Sequence, residues 1–203
     1  MRNFLLFGLI ALIAVAGCTQ PAPVKTIENL KAGIKGETTA SAKYAAYALK
    51  AKEEGNEKIA KLFEAASKAE SIHATNHRKV LLGLGATMDE FKPEFTVKTT
   101  AENLQAAIEG ETYEATTMYP QFLADAKAEK VQKAIKSFNW AFDTEKKHAI
   151  FYQKALDALK INAENKLAFE YAVCSVCGNT YEKASVDEKC AFCQTIKEKF
   201  IMI

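Results

Sequence analysis

The chain has 203 residues, with 27 Lys+Arg against 25 Asp+Glu and a formal net charge of +2. That near-neutral balance, without a long Lys/Arg cluster, argues against a nucleic-acid binder, and only 9 glycines and 4 prolines argue against a collagen-like or low-complexity chain. Hydrophobic residues make up 49%, enough for a core, and the length fits one large domain or a medium domain with a small module.

Residues 1–17 differ in kind from the rest. Arg2 gives a positive start, and the uncharged run Phe4 to Ala16 is too short to span a bilayer comfortably but fits a signal-peptide apolar region. Val15-Ala16-Gly17-Cys18, followed by the polar, proline-containing Thr19 to Pro23, resembles the lipobox of bacterial lipoproteins. That resemblance implies cleavage before Cys18, lipidation of Cys18 and a soluble domain held at a membrane by its lipid anchor alone. Residues 1–17 are then a lipoprotein signal peptide and 18–25 a tether. The expected location is the cell envelope, on the periplasmic or outer face of a bacterial membrane.

From Thr26 to about Glu54 the chain is rich in helix formers and free of proline. Gly55-Asn56 punctuates it, with Asn56 a candidate N-cap for a second helix over about 57–84. Residues 86–98, with Pro93, read as a long crossover. Thr99-Thr100-Ala101-Glu102 has the form of a capping box opening a third helix, which runs to about Ala126 with a kink at Pro120. A fourth helix is expected over about 129–160. Two short connections and one long crossover give the ferritin-like form of the four-helix bundle over 26–160. A linker, 161–171, then leads to a small cysteine module over 172–203, so the fold class is all-α with a C-terminal metal module.

An internal repeat sharpens this. Gly36-Glu37-Thr38 recurs 74 residues later as Gly110-Glu111-Thr112, and Glu70-x-x-His73 recurs 75 residues later as Glu145-x-x-His148. A Glu and a His three apart share one helix face and make a ready chelate. One Glu from each of two helices plus Glu-x-x-His from each of the others is the ligand pattern of di-iron bundles. An oxygen-rich set with two imidazoles suits iron or manganese better than a soft metal. The set also needs cations: buried, uncompensated carboxylates cost several kcal/mol each. The repeat breaks at Glu114, whose first-half equivalent is Ala40, so the second half offers an extra carboxylate. His77, one turn beyond His73, reads as an ordinary polar-face residue; its repeat partner is Tyr152.

Four of the five cysteines form two Cys-x-x-Cys pairs, Cys174/Cys177 and Cys190/Cys193. Four thiolates in tetrahedral array bind zinc or iron; in an exported chain two disulfides must also be weighed.

Together, Gly36-Glu37-Thr38, Glu70-x-x-His73, Gly110-Glu111-Thr-Tyr-Glu114, Tyr119-Pro120, Glu145-x-x-His148 and the two cysteine pairs resemble the rubrerythrins, ferritin-like di-iron proteins carrying a rubredoxin-like module. The resemblance implies a di-iron centre held by Glu37, Glu70, His73, Glu111, Glu114, Glu145 and His148. It implies that Tyr44 and Tyr119 hydrogen-bond to ligating carboxylates, and that Cys174, Cys177, Cys190 and Cys193 hold a mononuclear iron. It extends through Tyr171, Tyr181 and Phe200 around the cysteines. It departs at Ala191, where the family commonly has proline. The implied activity is reduction of hydrogen peroxide to water, with electrons from an unidentified donor relayed through the cysteine-bound iron across a homodimer. Two other readings stand beside it: a ferroxidase or iron-handling protein, and a non-catalytic electron carrier at the envelope.

Overall fold

A computed structural model describes residues 22–203. The apolar leader, Cys18 and most of the tether lie outside the described residues. Among those residues no helix is long and apolar enough to cross a membrane.

Five helices and a π-helical segment build the bundle. Helix α1 spans Val24–Glu53 and α2 Glu57–Gly83. Helix α3 spans Thr100–Tyr113, a π segment Glu114–Met118, α4 Tyr119–Ala128 and α5 Gln132–Lys160. Helix α1 packs along α2 as one hairpin, and α3 with α4 packs along α5 as the other. Residues 86–98 cross between the hairpins without regular structure, as expected for a ferritin-like bundle.

The helix ends show which sequence signals held. Thr99 accepts from the Glu102 backbone N–H and Glu102 reaches back to Thr99, a complete capping box. Asn56 stands at the N-cap of α2, but its side chain makes no capping bond. The fourth helix starts at Gln132 rather than 129, because Lys130 turns the chain at φ 59°. Glu129 serves another helix instead: its carboxylate accepts from the Lys25 and Thr26 backbone N–H groups at 3.1 and 2.8 Å and caps α1. The interruption near Pro120 is a π turn just before it, closed by the Tyr119 N–H on the Glu114 carbonyl. Pro120 then follows directly in the first turn of α4, beside the widened turn that interrupts the regular ladder.

The C-terminal module is a three-stranded antiparallel sheet, β1 Tyr171–Cys174, β2 Thr180–Glu182 and β3 Phe200–Met202, in the order β2-β1-β3. Tyr171 and Val173 of β1 join Tyr44, Phe63, Tyr152 and Leu156 in one apolar cluster, so the module packs onto its own bundle. A second cluster, with Leu30, Ile34, Tyr119, Phe122 and Phe138, fills the other end. The charged site lies between these two apolar plugs.

Candidate metal centre

Each half of the repeat delivers its donors from its helices. Glu37 comes from α1, Glu70 and His73 from α2, Glu111 from the end of α3, and Glu145 and His148 from α5. All six are at most 1% exposed. They form two overlapping groups whose ligand atoms lie within 4.8 Å of one another. One is Glu37, Glu70, His73 and Glu145; the other is Glu70, Glu111, Glu145 and His148. Glu70 and Glu145 belong to both, as bridging carboxylates between two metals would.

The atoms crowd towards common points rather than pairing off. His73 Nδ1 lies 2.8 Å from Glu70, 3.2 Å from Glu145 and 3.9 Å from Glu37. His148 Nδ1 lies 2.9 Å from Glu70, 3.4 Å from Glu145 and 3.6 Å from Glu111. Yet Glu37 Oε2, Glu70 Oε1, Glu111 Oε2, both Glu145 oxygens and His148 Nδ1 are buried without a hydrogen-bond partner. Buried polar atoms are nearly always satisfied, so this concentration of orphaned oxygen and nitrogen donors fits a pair of cations.

The proton affinities carry the same strain. Burial, then the Glu145 charge, raises Glu37 well above the usual carboxylate range. Burial and Glu70 push Glu111 up to about 8. Burial would raise Glu70 too, but the close His148 charge, then the His73 hydrogen bond and charge, hold it at about 2. Burial would lower His73 and His148, but Glu145 and Glu70 respectively raise them well above normal. Metal cations would take over this compensating role.

Glu114 stands beside the two groups, half-buried, as the first residue of the π segment. Its carboxylate reaches back to α1: a Cβ built on Gly36 would stand in ordinary contact with Glu114 Oε1, at 3.7 Å. Burial and then Glu37 raise its affinity for a proton. π turns concentrate at functional sites, and this one carries the asymmetric carboxylate.

Tyr44 and Tyr119 cross over between the halves. The Tyr44 hydroxyl donates to Glu111 at 2.7 Å, and the Tyr119 hydroxyl donates to Glu37. Both rings are buried. Such partners fix a ligating carboxylate's orientation.

His77 is the residue that sequence reasoning missed. It is wholly buried, with Nε2 3.0 Å from the Tyr119 hydroxyl and Nδ1 2.7 Å from Ser137 Oγ. Burial, then the His73 charge, presses its pKa down to about 3, which keeps the ring neutral. The available signal was Gly33 in mid-helix: a Cβ there would meet the His77 ring at 3.1 Å.

The cysteine module closes over the histidine face of the cage. Cys174 and Cys193 sulfurs are 3.4 Å apart, as are those of Cys177 and Cys190, and all four thiols are free. They form one group within 4.8 Å, the arrangement of a tetrahedral metal site rather than two disulfides. Gly178, at φ 83°, follows Cys177 and presses on His73: a Cβ there would stand 2.4 Å from His73 Nε2. His148 Nε2 meets Thr180 Oγ1 at 2.9 Å, Asn76 donates to the Val176 carbonyl, and Lys147 donates to Asn179. Each imidazole therefore shows Nδ1 to the carboxylates and Nε2 to the module. Ala191 has a use that proline could not serve. Its N–H donates to the Tyr181 hydroxyl at 3.0 Å, and that hydroxyl lies 3.5 Å from Cys190 Sγ.

A family model for rubrerythrin matches residues 28–156. Nigerythrin of Nitratidesulfovibrio vulgaris is 38% identical over 184 residues, 86% of this chain and 85% of that protein. Rubrerythrin-2 of Clostridium acetobutylicum is 33% identical over 176 residues, 86% and 95% of the two chains. The structure of fully reduced, all-ferrous nigerythrin superposes with a TM-score of 0.79 at 31% identity, covering 95% of this chain and 92% of that one. An open-pore ferritin from Archaeoglobus fulgidus, 15% identical with a TM-score of 0.59, shares the fold. The chain belongs to the rubrerythrin family. It carries the carboxylate and histidine residues of a di-iron site and a cluster of four cysteines matching the iron centres of nigerythrin, in a family whose activity is typically peroxide reduction.

Proposed function

We propose that the protein is a non-haem di-iron peroxidase that reduces hydrogen peroxide to water, with electrons entering through the four-cysteine iron. The supporting observation is the seal of the cysteine module over the cage, where Gly178 lies on His73 and Thr180 on His148. Glu37, Glu70, His73, Glu111, Glu145 and His148 would hold the iron pair, with Glu114 the additional carboxylate able to exchange in as metal charge changes. A bound diferrous pair supplies two electrons to peroxide, and a cysteine-bound iron passes electrons singly. The residues themselves neutralise, orient and exclude water. Tyr44 and Tyr119 fix Glu111 and Glu37, and the two aromatic clusters keep the cage dry.

The test is stopped-flow oxidation of the anaerobically reduced, iron-loaded protein. The expected result is fast two-electron oxidation by peroxide, slower reaction with oxygen, and no mineral core, which separates the reading from ferroxidase and carrier alternatives. Zinc at the cysteines with no iron in the bundle overturns it. The module rests on its own chain's bundle, which supports relay within one chain beside the expected relay across a dimer. A homodimer is part of the proposal and is tested by sedimentation. Envelope location through lipidated Cys18 is likewise proposed: intact mass of detergent-extracted protein should begin at a lipidated Cys18, and Cys18→Ser should free the protein from membranes.

A further inference from the structure

Reduction of hydrogen peroxide to two waters breaks the O–O bond and consumes two electrons and two protons. The iron sites account for the electrons. The protons must enter a cage sealed on both sides by apolar side chains.

One line of polar groups crosses that seal. A surface cleft of about 300 Å³, bordered by Asn76, Lys133, Lys136 and Trp140, has Ser137 in its wall. Ser137 Oγ lies 2.7 Å from His77 Nδ1, His77 Nε2 lies 3.0 Å from the Tyr119 hydroxyl, and that hydroxyl donates to Glu37. The last bond sets the direction of the others. Because Tyr119 spends its proton on the carboxylate, its oxygen must accept, so His77 Nε2 carries the hydrogen. Nδ1 is then bare and accepts from Ser137. Every donor points inwards, from cleft to cage.

The surroundings hold this geometry and nothing else. Gly33 gives the imidazole its space, and the Phe138 ring packs edge-on to it at 5.1 Å. The pseudo-equivalent positions in the other half are Tyr152 for His77 and Leu62 for Ser137, each 75 residues away. There the Tyr152 hydroxyl has no partner and Leu62 is apolar, so no such line exists on that side.

We propose that Ser137, His77 and Tyr119 form a proton-entry line that delivers hydrogen ions from the surface cleft to the Glu37 side of the cage. A proton taken up by Ser137 from cleft water passes to His77 Nδ1, the Nε2 hydrogen passes to Tyr119, and the Tyr119 hydrogen passes to the cage. Ring and hydroxyl orientations then reset. The imidazole changes which nitrogen bears hydrogen, with no lasting change in net charge. The inference rests on the peroxide reading for its purpose, but the line itself is a property of the protein matrix.

The test uses the iron-loaded full chain and the variants His77→Leu, His77→Gln, Ser137→Ala and Ser137→Thr. Gln keeps hydrogen bonds to both neighbours but cannot pass a proton as imidazole does. The peroxide step should slow at least about tenfold in His77→Leu, His77→Gln and Ser137→Ala, with a larger solvent deuterium effect, while Ser137→Thr stays near wild type. Iron content, diferric absorption and azide affinity should be unchanged. Wild-type rates in His77→Gln or Ser137→Ala overturn the proposal. A second readout needs no turnover. In the zinc-loaded chain with 15N-labelled histidine, the His77 ring N–H should exchange with water at least about tenfold faster in wild type than in Ser137→Ala. If wild-type iron protein ignores peroxide, the functional reading fails and this exchange alone decides: equal rates overturn the line, a slowed variant supports it.

Discussion

The two halves of the cage share a plan and differ in chemistry. In one, Glu37 is held by Tyr119, which leads through His77 to Ser137 and the surface. In the other, Glu111 is held by Tyr44, which is walled in by Tyr47, Phe63 and Tyr152 with ring centroids 5.4–6.2 Å away. The repeat places two equivalent carboxylate–tyrosine pairs, one adjoining polar side chains and the other enclosed by aromatic rings. A repeated carboxylate and histidine set, with Glu114 its one unmatched member, thus sits in an asymmetric matrix, and that asymmetry decides where protons enter.

The largest expected effect removes what the halves share. Glu70 belongs to both donor groups, so Glu70→Ala should lose both bundle metals while the cysteine-bound iron stays. Metal analysis beside the visible spectrum of the cysteine site checks it. Retention of both bundle irons would mean the cage is not organised around a common carboxylate.

Next is the contact that couples the cage to the module. Gly178→Ala places a Cβ within 2.4 Å of His73 Nε2 and strains a residue at φ 83°, so the module must move. Misplacement by about 1 Å can cost up to about 100-fold in a positioned reaction. Electron passage from the cysteine iron to the bundle should slow at least about tenfold. Oxidation of an already reduced bundle should not change.

Removing the metals exposes the proton cost of the cage. Folded Glu111 releases its proton at about 8 rather than near 4.5, and His73 releases its own well above 6.5. Folding therefore binds protons, and the stability tied to them is complete below the unfolded values and lost as pH rises through the folded ones. Glu70, held at about 2, acts oppositely only in acid. The metal-free chain should melt several degrees lower at pH 8 than at pH 6. The iron-loaded chain, whose donors are deprotonated throughout, should show little change.

Much of this was legible in the sequence, and the failures have physical causes. Glu-x-x-His spacing, the matched repeat offsets and the cysteine pairs located both metal sites, because ligand geometry on a helix is a matter of spacing alone. His77 was misread because its burial depends on Gly33 of another helix, a tertiary fact. The π segment left a trace that spacing could have caught. Glu37 and Glu111 are 74 residues apart, but Tyr44 and Tyr119 are 75 apart. One residue is inserted between Glu111 and Tyr119, and the wider turn at Glu114–Met118 absorbs it. Ala191 reads in the sequence only as a departure from proline; the Tyr181 hydroxyl beside its N–H shows the hydrogen bond that alanine allows.

The smallest expected stability effect compares the two tyrosines nearest this asymmetry, and it has opposite signs in the two halves. Tyr152 buries a hydroxyl with no partner, which costs about 1–3 kcal/mol relative to a satisfied group. Tyr152→Phe removes that cost and keeps the ring contacts with Tyr44 and Phe63, so melting should rise by about 2–4 °C per kcal/mol recovered. Tyr119→Phe instead takes a hydrogen bond from Glu37 and an acceptor from His77 Nε2, leaving two buried groups unmatched, and melting should fall by a similar amount. Calorimetry of the iron-loaded variants checks both. If the two shifts share a sign, the hydroxyls do not distinguish a dry half from a proton-carrying one, and the asymmetry is one of side-chain identity rather than of function.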